Sequence, residues 1–205
     1  MTTMSREELE ERLVDHRAWL ARAGRGEGTR LELPMTDLSG IDLSGLDLSG
    51  AELACATFRG ACLHGTQFYA ASLLDTDLTE ADLTHADLTK AELAYTRAPD
   101  ALFVGAVLFR ASIAHADLRG ADLSGANLFK TSFYEADLSG ANLADANLER
   151  TSLSKARLIG TNLVGARNVE RIFADWIEVQ QGDAVVRLKG EHMRDWLQRA
   201  STHEP

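Results

Sequence analysis

The sequence predicts an all-β solenoid in which a short strand and a corner recur every five residues, with a helical cap at one end and a strand-and-helix cap at the other. The chain has 205 residues, and residues 36–170 divide into 27 consecutive five-residue blocks without an insertion. The third position is Leu, Phe or Ile in 25 blocks, and the first is Ala in 18 and Thr in 7. All 11 glycines of this segment occupy the fifth position.

A period of five residues fits neither a straight α-helix nor a straight strand. On a helix, successive third-position residues would lie about 140° apart and leave no apolar stripe. On a strand, whose side chains alternate between two faces, an odd period would place them on opposite faces in turn. A chain that turns after every block keeps positions one and three inside and position two outside. Glycine at position five suits the positive φ of a tight turn.

Four such sides close a square coil of 20 residues, and stacked coils pair their strands about 4.8 Å apart. The repeats then make about seven coils, a rod on the order of 32 Å long. The five-residue register of the repeat begins with an additional block at 31–35 and continues to residue 170. Residues 31–170 are therefore assigned to the rod. The block at 96–100 is the weakest, because Ala98 replaces the inward Leu and Pro99 lacks an N–H donor. A local kink is expected there.

The repeated pattern A(D/N)LxG, as in Ala116-Asp117-Leu118-Arg119-Gly120 or Ala141-Asn142-Leu143, resembles that of the pentapeptide-repeat proteins. The resemblance covers residues 36–170 and implies a right-handed quadrilateral β-helix. The best-understood members protect DNA gyrase or topoisomerase IV from quinolones or other poisons by imitating the shape and charge of duplex DNA. The resemblance therefore implies a non-enzymatic DNA mimic that binds a type II topoisomerase, in antibiotic resistance or self-immunity. A rigid interaction scaffold for an unrelated partner is the alternative.

The segments outside the repeats are expected to cover the open ends of the β-helix. Residues 1–30 are assigned to an N-terminal cap with an amphipathic helix at 5–23, which starts with a Ser5–Glu8 capping box. Its apolar residues are Leu9, Leu13, His16 and Leu20, with Val14 and Trp19 alongside. Residues 171–205 are predicted to form two strands and a helix, which serve either as a plain cap or as a homodimer interface. The dimer contacts would be Trp176, Ile177, Val179, Met193, Trp196 and Leu197.

The net charge of −10 argues against binding to nucleic acid or to an anionic membrane surface. Residues 36–95 hold ten acidic and two basic residues, a net 2 − 10 = −8, whereas residues 96–170 hold eight of each. Residues 20 apart lie above one another, so the position-two acids form rows that face solvent. The predicted partner-binding acidic surface consists of Asp37, Asp42, Asp47, Asp77, Asp82, Asp87, Asp117, Asp122 and Asp137. Simple solvation of the rod is the other interpretation, since Asp and Asn at this position can bond the nearby backbone.

A second candidate surface lies along the third side of each coil. Its fifth positions include Lys90, Arg110, Lys130 and Arg150, and its fourth positions include Tyr69, Phe109 and Phe129. Exposed aromatic side chains on adjacent coils indicate a contact patch. The alternative is that these cations form rows of salt bridges with Glu149 and neighbouring acids.

No catalytic, cofactor or metal motif stands apart from the repeat. His115 is expected near Tyr95 and Glu135, and His64 diagonal to His85, but two ligands on a solvated wall do not make a metal site. Cys55 and Cys62 are interpreted as free thiols, which favours a reducing compartment. Neither a signal peptide nor an apolar run of membrane-spanning length is present. The sequence therefore predicts a cytoplasmic protein that is not an enzyme and needs no cofactor.

Overall fold

The structure is a computed structural model that describes residues 2–3, 6–21 and 28–202. Its regular elements are strand β1 (Thr2–Thr3), helix α1 (Arg6–Ala21), strand β2 (Thr36–Asp37), a 3-10 turn (Val169–Arg171), strands β3 (Ile177–Gln181) and β4 (Ala184–Leu188), and helix α2 (Gly190–Thr202). β1 pairs with β2 in parallel, and β3 pairs with β4 in antiparallel register. The chain between β2 and β3 is held mainly by isolated parallel bridges.

The isolated bridges build a β-helix from the repeats. Each joins a position-two residue to the one 20 residues later, beginning with Glu32 and Glu52 and continuing to Asn147 and Arg167. Bridged residues follow one another every five residues, so each coil has four sides. A third-position N–H donates to the second-position carbonyl of the next coil, as from Leu38 N to Thr57 O at 2.8 Å. The additional block at residues 31–35 shares this register.

The inside of the coil is a column of third-position side chains, with first-position Ala and Thr along its walls. The third-position Leu, Ile and Phe side chains from Leu33 to Leu163 are all buried. First-position threonines also bond between coils, and Thr131 Oγ1 donates to the carbonyl of Leu108 at 2.6 Å. The predicted assignment of positions one and three to the interior is therefore confirmed.

The fifth position adopts a positive φ whether or not it is glycine. All 27 fifth-position residues from Met35 to Gly165 have φ between 53° and 74°, and 16 of them are not glycine. The N–H of a fifth-position residue donates to a fourth-position carbonyl in the next coil, as from Lys90 N to Phe109 O at 2.8 Å. This bond holds the corner in the left-handed region, which side chains other than glycine enter at a cost of about 1–2 kcal/mol.

The kink expected at residues 96–100 is wrong. Arg97 keeps its bridges to both neighbouring coils, and Ala98 is fully buried with its N–H donated to Asp117 O at 2.7 Å. Pro99 occupies the fourth position, whose N–H takes no part in the ladder between coils. The missing donor of Pro99 therefore leaves the ladder intact.

The β-helix ladder continues past the boundary expected at residue 170. The 3-10 turn inserts one residue, after which Ser152 bridges Phe173 and Arg157 bridges Glu178, both 21 residues apart. Phe173 therefore takes an outward position and is 62% exposed. Glu178 belongs to β3, so this strand begins on the last side of the final coil.

Helix α1 lies at the N-terminal end of the rod, as the sequence predicts for a cap. Leu9 and His16 are buried, and His16 Nδ1 accepts a hydrogen bond from Leu31 N at 3.0 Å. Val14, placed with the apolar residues of this helix, is 60% exposed and faces away from the rod. The expected Ser5 capping box lies outside the described residues.

The C-terminal strands and helix close the other end of the rod. β3 buries Ile177 and Val179, and α2 buries Met193 and Leu197. The last turn of α2 docks on the coil, where Gly165 N donates to the carbonyl of Ser201 at 2.9 Å.

Candidate interaction surfaces

The nine aspartates of the predicted acidic surface are built into the corners of the coil. Each carboxylate accepts, through Oδ1, a hydrogen bond from the backbone N–H two residues later, with distances from 2.8 Å at Asp122 to 3.3 Å at Asp117. The same bond is present at Asp37, Asp42, Asp47, Asp77, Asp82, Asp87 and Asp137. It satisfies the fourth-position N–H, which the ladder leaves unused. Oδ2 is not needed for this bond.

Hydrogen bonding also favours the ionised form of five of these carboxylates. The hydroxyl and N–H of Ser39 lower the pKa of Asp37. At Asp82 burial opposes ionisation, but the bonds from Thr84 outweigh it and the pKa is lowered. The pKa is lowered at Asp37, Asp42, Asp77, Asp82 and Asp117. These residues therefore carry their negative charge at neutral pH.

Asparagine makes the same turn without a charge. In the C-terminal half of the rod, Oδ1 of Asn127, Asn142 and Asn147 accepts from the N–H two residues later at 3.2 Å. No Asn occupies position two between residues 36 and 95, where six Asp do. The corner requires only the acceptor oxygen, so the charge of the N-terminal half is a separate property of the sequence.

Ion pairs offset part of this charge. Arg59 pairs with Asp77 at 3.2 Å, Arg119 with Asp117 at 2.7 Å, and Arg157 with Asp137 at 3.8 Å. Within the described residues, the other six aspartates form no ion pair. Five of those six lie between residues 36 and 95: Asp37, Asp42, Asp47, Asp82 and Asp87.

The third side carries the aromatic and basic residues that the sequence predicts. The rings of Phe109 and Phe129 stack with centroids 5.5 Å apart and planes at 12°. A cation covers each ring: Arg110 lies 5.1 Å from the Phe109 centroid and Lys130 lies 5.2 Å from the Phe129 centroid. Lys90 lies over Tyr69 in the same manner and donates to its hydroxyl at 2.7 Å.

The alternative interpretation of this side, rows of salt bridges around Glu149, is wrong. Glu149 pairs instead with Arg171 of the 3-10 turn at 2.6 Å. Across the described chain, no ion pair involves Lys90, Arg110, Lys130 or Arg150.

The predicted dimer contacts lie mostly inside the chain. Ile177, Val179, Met193 and Leu197 are buried in the core that joins the rod to its cap, so their assignment to an interface between chains is wrong. An amphipathic segment can bury its apolar side against its own rod or against a partner chain. The apolar pattern of the sequence is the same in both cases, so it did not distinguish a cap from a dimer interface. Trp176 and Trp196 are half-buried, with Arg187 lying 4.1 Å from the Trp176 ring. A dimer through these two residues stays a prediction.

The corner after the fourth side holds a ladder of aromatic and charged residues. As expected, His115 stacks on Tyr95 at 4.9 Å and its Nδ1 lies 3.3 Å from Glu135 Oε2. Lys155, which the sequence pattern did not single out, joins this ladder: its Nζ contacts Glu135 Oε1 at 2.9 Å and the hydroxyl of Tyr134. These bonds raise the pKa of Lys155. The 20-residue spacing from Glu135 to Lys155 could have revealed it.

The histidines and cysteines of the wall do not assemble into a site. The rings of His64 and His85 meet edge to face at 5.6 Å, and both cysteines are free. Among residues 2–3, 6–21 and 28–202, no three His, Cys, Asp or Glu side chains could hold a metal ion together. Neither α1 nor α2, nor any other helix in that part of the chain, has the length and apolarity to cross a bilayer.

Comparison with known proteins places this geometry in a family. The pentapeptide repeats model matches in eight copies between residues 36 and 167. No protein of curated function matches the chain significantly. A trypsin-treated variant of QnrB1, a plasmid-mediated fluoroquinolone resistance protein, is 21% identical with a TM-score of 0.60, covering 75% of this chain and 84% of that chain.

Two further solved structures are similar in sequence. HetL, a pentapeptide repeat protein involved in heterocyst differentiation regulation from the cyanobacterium Nostoc sp. strain PCC 7120, is 27% identical, covering 80% of this chain and 90% of that chain with a TM-score of 0.23. A pentapeptide repeat protein from the Arabidopsis thaliana thylakoid lumen is 31% identical, covering 57% and 68% with a TM-score of 0.31. The repeats and the QnrB1 likeness identify the fold as a right-handed β-helix. The chain belongs to the pentapeptide repeat family.

Proposed function

We propose that this chain is a non-enzymatic DNA mimic that binds a type II topoisomerase, such as DNA gyrase, and protects it from a topoisomerase poison. The observation that carries the proposal is the density of charge on the N-terminal coils. Residues 36–95 have a net charge of −8 and make three coils. Three coils span about 14 Å, which gives one net charge per roughly 1.8 Å of rod. Duplex DNA carries one per about 1.7 Å.

The position of these charges supports the same function. The Asp carboxylates are fixed at Oδ1 by the corner, so they form an ordered row rather than a set of mobile side chains. Where Asn would complete the turn equally well, the N-terminal half uses Asp. A fixed and dense negative field is what a protein surface that binds DNA would recognise. A gyrase partner would place the protein in the cytoplasm.

The test measures poison-stabilised DNA cleavage by purified gyrase. We expect the protein to reduce the cleaved product at micromolar concentrations while showing no binding to duplex DNA in a gel-shift assay. The triple variant Asp47→Asn/Asp82→Asn/Asp87→Asn removes three charges but keeps three turns. It should need at least about tenfold more protein for the same effect, since three charges act at an interface steered by electrostatics.

A matched control removes the same net charge from the C-terminal end. Asp175, Asp183 and Glu191 are exposed there, and the variant Asp175→Asn/Asp183→Asn/Glu191→Gln should protect gyrase as well as the wild type. Equal loss in both variants would show that only total charge matters. A wild type that neither binds gyrase nor changes cleavage would contradict the proposal and favour a scaffold for an unrelated partner.

A further inference from the structure

Four cations stand above one another on the third corner of the rod, and none of them forms an ion pair with a described residue. This cationic column consists of Lys90, Arg110, Lys130 and Arg150, the fifth-position residues of four successive coils. Most cations elsewhere on the rod are paired: Arg59, Arg119 and Lys155 each contact a carboxylate within 3.2 Å, and Arg157 contacts two carboxylates within 3.8 Å. Within the described residues, Arg97 and Arg167 are the exceptions, and they lie on different sides of the rod. Of the six rod cations that form no ion pair in the described part of the chain, four therefore stand on this corner.

The column is held against the wall by aromatic rings. Lys90, Arg110 and Lys130 each lie 5.0–5.2 Å from the centroid of a third-side ring. Cation–π contact limits the freedom of long side chains that would otherwise extend into solvent. Binding then costs less side-chain entropy than it would for mobile lysines and arginines.

The rows that flank the column are short and mostly uncharged. On one side stand Val107, Asn127 and Asn147, and on the other stand Ser112, Ser132 and Ser152. Within the described residues, the three serine hydroxyls form no hydrogen bond. Asp87 and Glu92 lie beside the Lys90 end, and Glu149, which pairs with Arg171, lies beside Arg150. The positive charge with no acidic neighbour in these rows is therefore that of Arg110 and Lys130.

We propose that the cationic column binds an extended acidic segment of a partner protein. The length of the column fits such a segment. Four coils place the outer cations about 14 Å apart. In an extended chain, acidic residues at positions i, i+2 and i+4 lie on one face and also span about 14 Å. The free serine hydroxyls can donate to the same carboxylates or to the segment's backbone.

The structure favours a peptide over a nucleic acid. Single-stranded nucleic acids bind by stacking bases on open aromatic faces. Here the Phe109 and Phe129 rings are half-buried, stack on each other and are covered by Arg110 and Lys130, so their faces are already in contact. The acidic coils of residues 36–95 also repel a long polyanion, whereas a short segment stays within about one Debye length, 8–10 Å, of the column.

The experiment measures the affinity of a labelled peptide by fluorescence anisotropy, at low salt and with the whole chain. The peptide alternates Glu and Thr and is long enough to span the column. The double variant Arg110→Gln/Lys130→Gln should weaken binding at least about tenfold, as expected for two lost charge-assisted contacts. The control Arg119→Gln/Arg157→Gln removes the same charge from paired arginines of the first side. It should change affinity less than about twofold, in line with distant and independent sites. Thermal denaturation verifies that both variants are folded.

Three results would overturn the proposal. One is binding of a matched Gln–Thr peptide as tightly as the Glu–Thr peptide. Another is equal loss of affinity in the two variants, or none in either. The third is occupation of the column by something else: tighter binding of oligo(dT) than of the acidic peptide, or a dimer in sedimentation that disappears in Arg110→Gln/Lys130→Gln. The cleavage assay with gyrase is independent of these outcomes, so failure of one proposal leaves the other intact.

Discussion

Leu123 and Asp122 are neighbours in sequence but lie on opposite sides of the rod wall. Leu123 is fully buried, whereas Asp122 faces outward and accepts from Ser124 N at 2.8 Å and Asn142 Nδ2 at 3.1 Å. Leu123→Asp removes a core side chain, worth about 2–5 kcal/mol, and buries an unpaired carboxylate. We expect it to unfold the central coils. Asp122→Asn should change stability by no more than about 0.5 kcal/mol. Circular dichroism melting compares them, and equal damage would contradict the inward and outward assignment.

Ala70 and Ala71 test the corner and the wall in the same way. Ala70 holds a positive φ of 53° at the fifth position, while Ala71 is buried at the first. Ala70→Gly should stabilise the protein by about 1 kcal/mol, because it removes the left-handed strain of a β-carbon. Ala71→Gly should destabilise it by a similar amount, because glycine gives the unfolded chain more backbone freedom, which folding must then remove. Denaturant unfolding gives both values, and a common sign would show that the corner is not strained.

The inner, outer and corner positions of the repeat differ in how well the sequence predicts their structure. Alternation of Leu and Asp identified the inner and outer positions, because one period of five runs unbroken through the rod. Glycine indicated the corner, but the corner also holds residues such as Lys90 and Tyr95 in the same conformation. Hydrogen bonds between stacked coils impose that conformation, and no propensity of the residue itself reveals them.

Helix α1 shows what sequence can establish about an element and what depends on its neighbour. Apolar spacing predicted a helix close to its observed bounds, Arg6–Ala21. It placed His16 on the apolar side of the helix, where the structure buries it, but it did not predict the hydrogen bond that His16 accepts. That bond depends on the start of the first coil, where the N–H of Leu31 donates to the imidazole. The C-terminal segment shows the same limit, because apolar periodicity does not say which surface covers it.

The His16 contact should make the N-terminal cap sensitive to acid. Burial lowers the pKa of His16 below its ordinary value of 6.5, with Arg30 acting in the same direction and Asp47 opposing. A lowered pKa in the folded state gives stability that is complete above the unfolded pKa and lost as pH falls through the folded one. Protonation of Nδ1 would also break its bond to Leu31.

Hydrogen exchange measures this effect directly. We expect the amides of α1 to exchange faster, by at least about fivefold relative to their intrinsic rates, at about pH 5.5 than at about pH 7.5, while the central coils stay protected. His16→Gln keeps an acceptor for Leu31 N but does not titrate, so its α1 should show no such change. An acid response that persists in His16→Gln would assign the opening to other groups.

At the scale of the whole rod, residue number alone gives a surface map. A fixed step of 20 residues per coil places Asp42, Asp82 and Asp122 on one line, and the bridges follow that line. The acidic half and the cationic column were therefore visible in the sequence. The pairing of each charge was not, because ion pairs such as Glu149 with Arg171 depend on the inserted residue at the C-terminal turn.

The two interpretations of the acidic half, a functional field or simple solvation, differ in their response to salt. A net −8 on about 14 Å of rod repels itself, and salt shortens the range of that repulsion to about 3 Å at 1 M. The wild type should therefore gain thermal stability as NaCl rises from about 0.02 M to 0.5 M, where screening becomes strong. Asp47→Asn/Asp82→Asn/Asp87→Asn should gain clearly less, because the triple substitution takes residues 36–95 from −8 to −5. Differential scanning calorimetry measures the slope of melting temperature against NaCl concentration for each protein.

Equal slopes would mean that the carboxylates behave as isolated solvated groups. The charge density on which the topoisomerase proposal rests would then have no physical effect. A steeper slope in the wild type would show that the N-terminal coils keep a repulsive field that weakens the fold, which is expected of a surface selected for a partner.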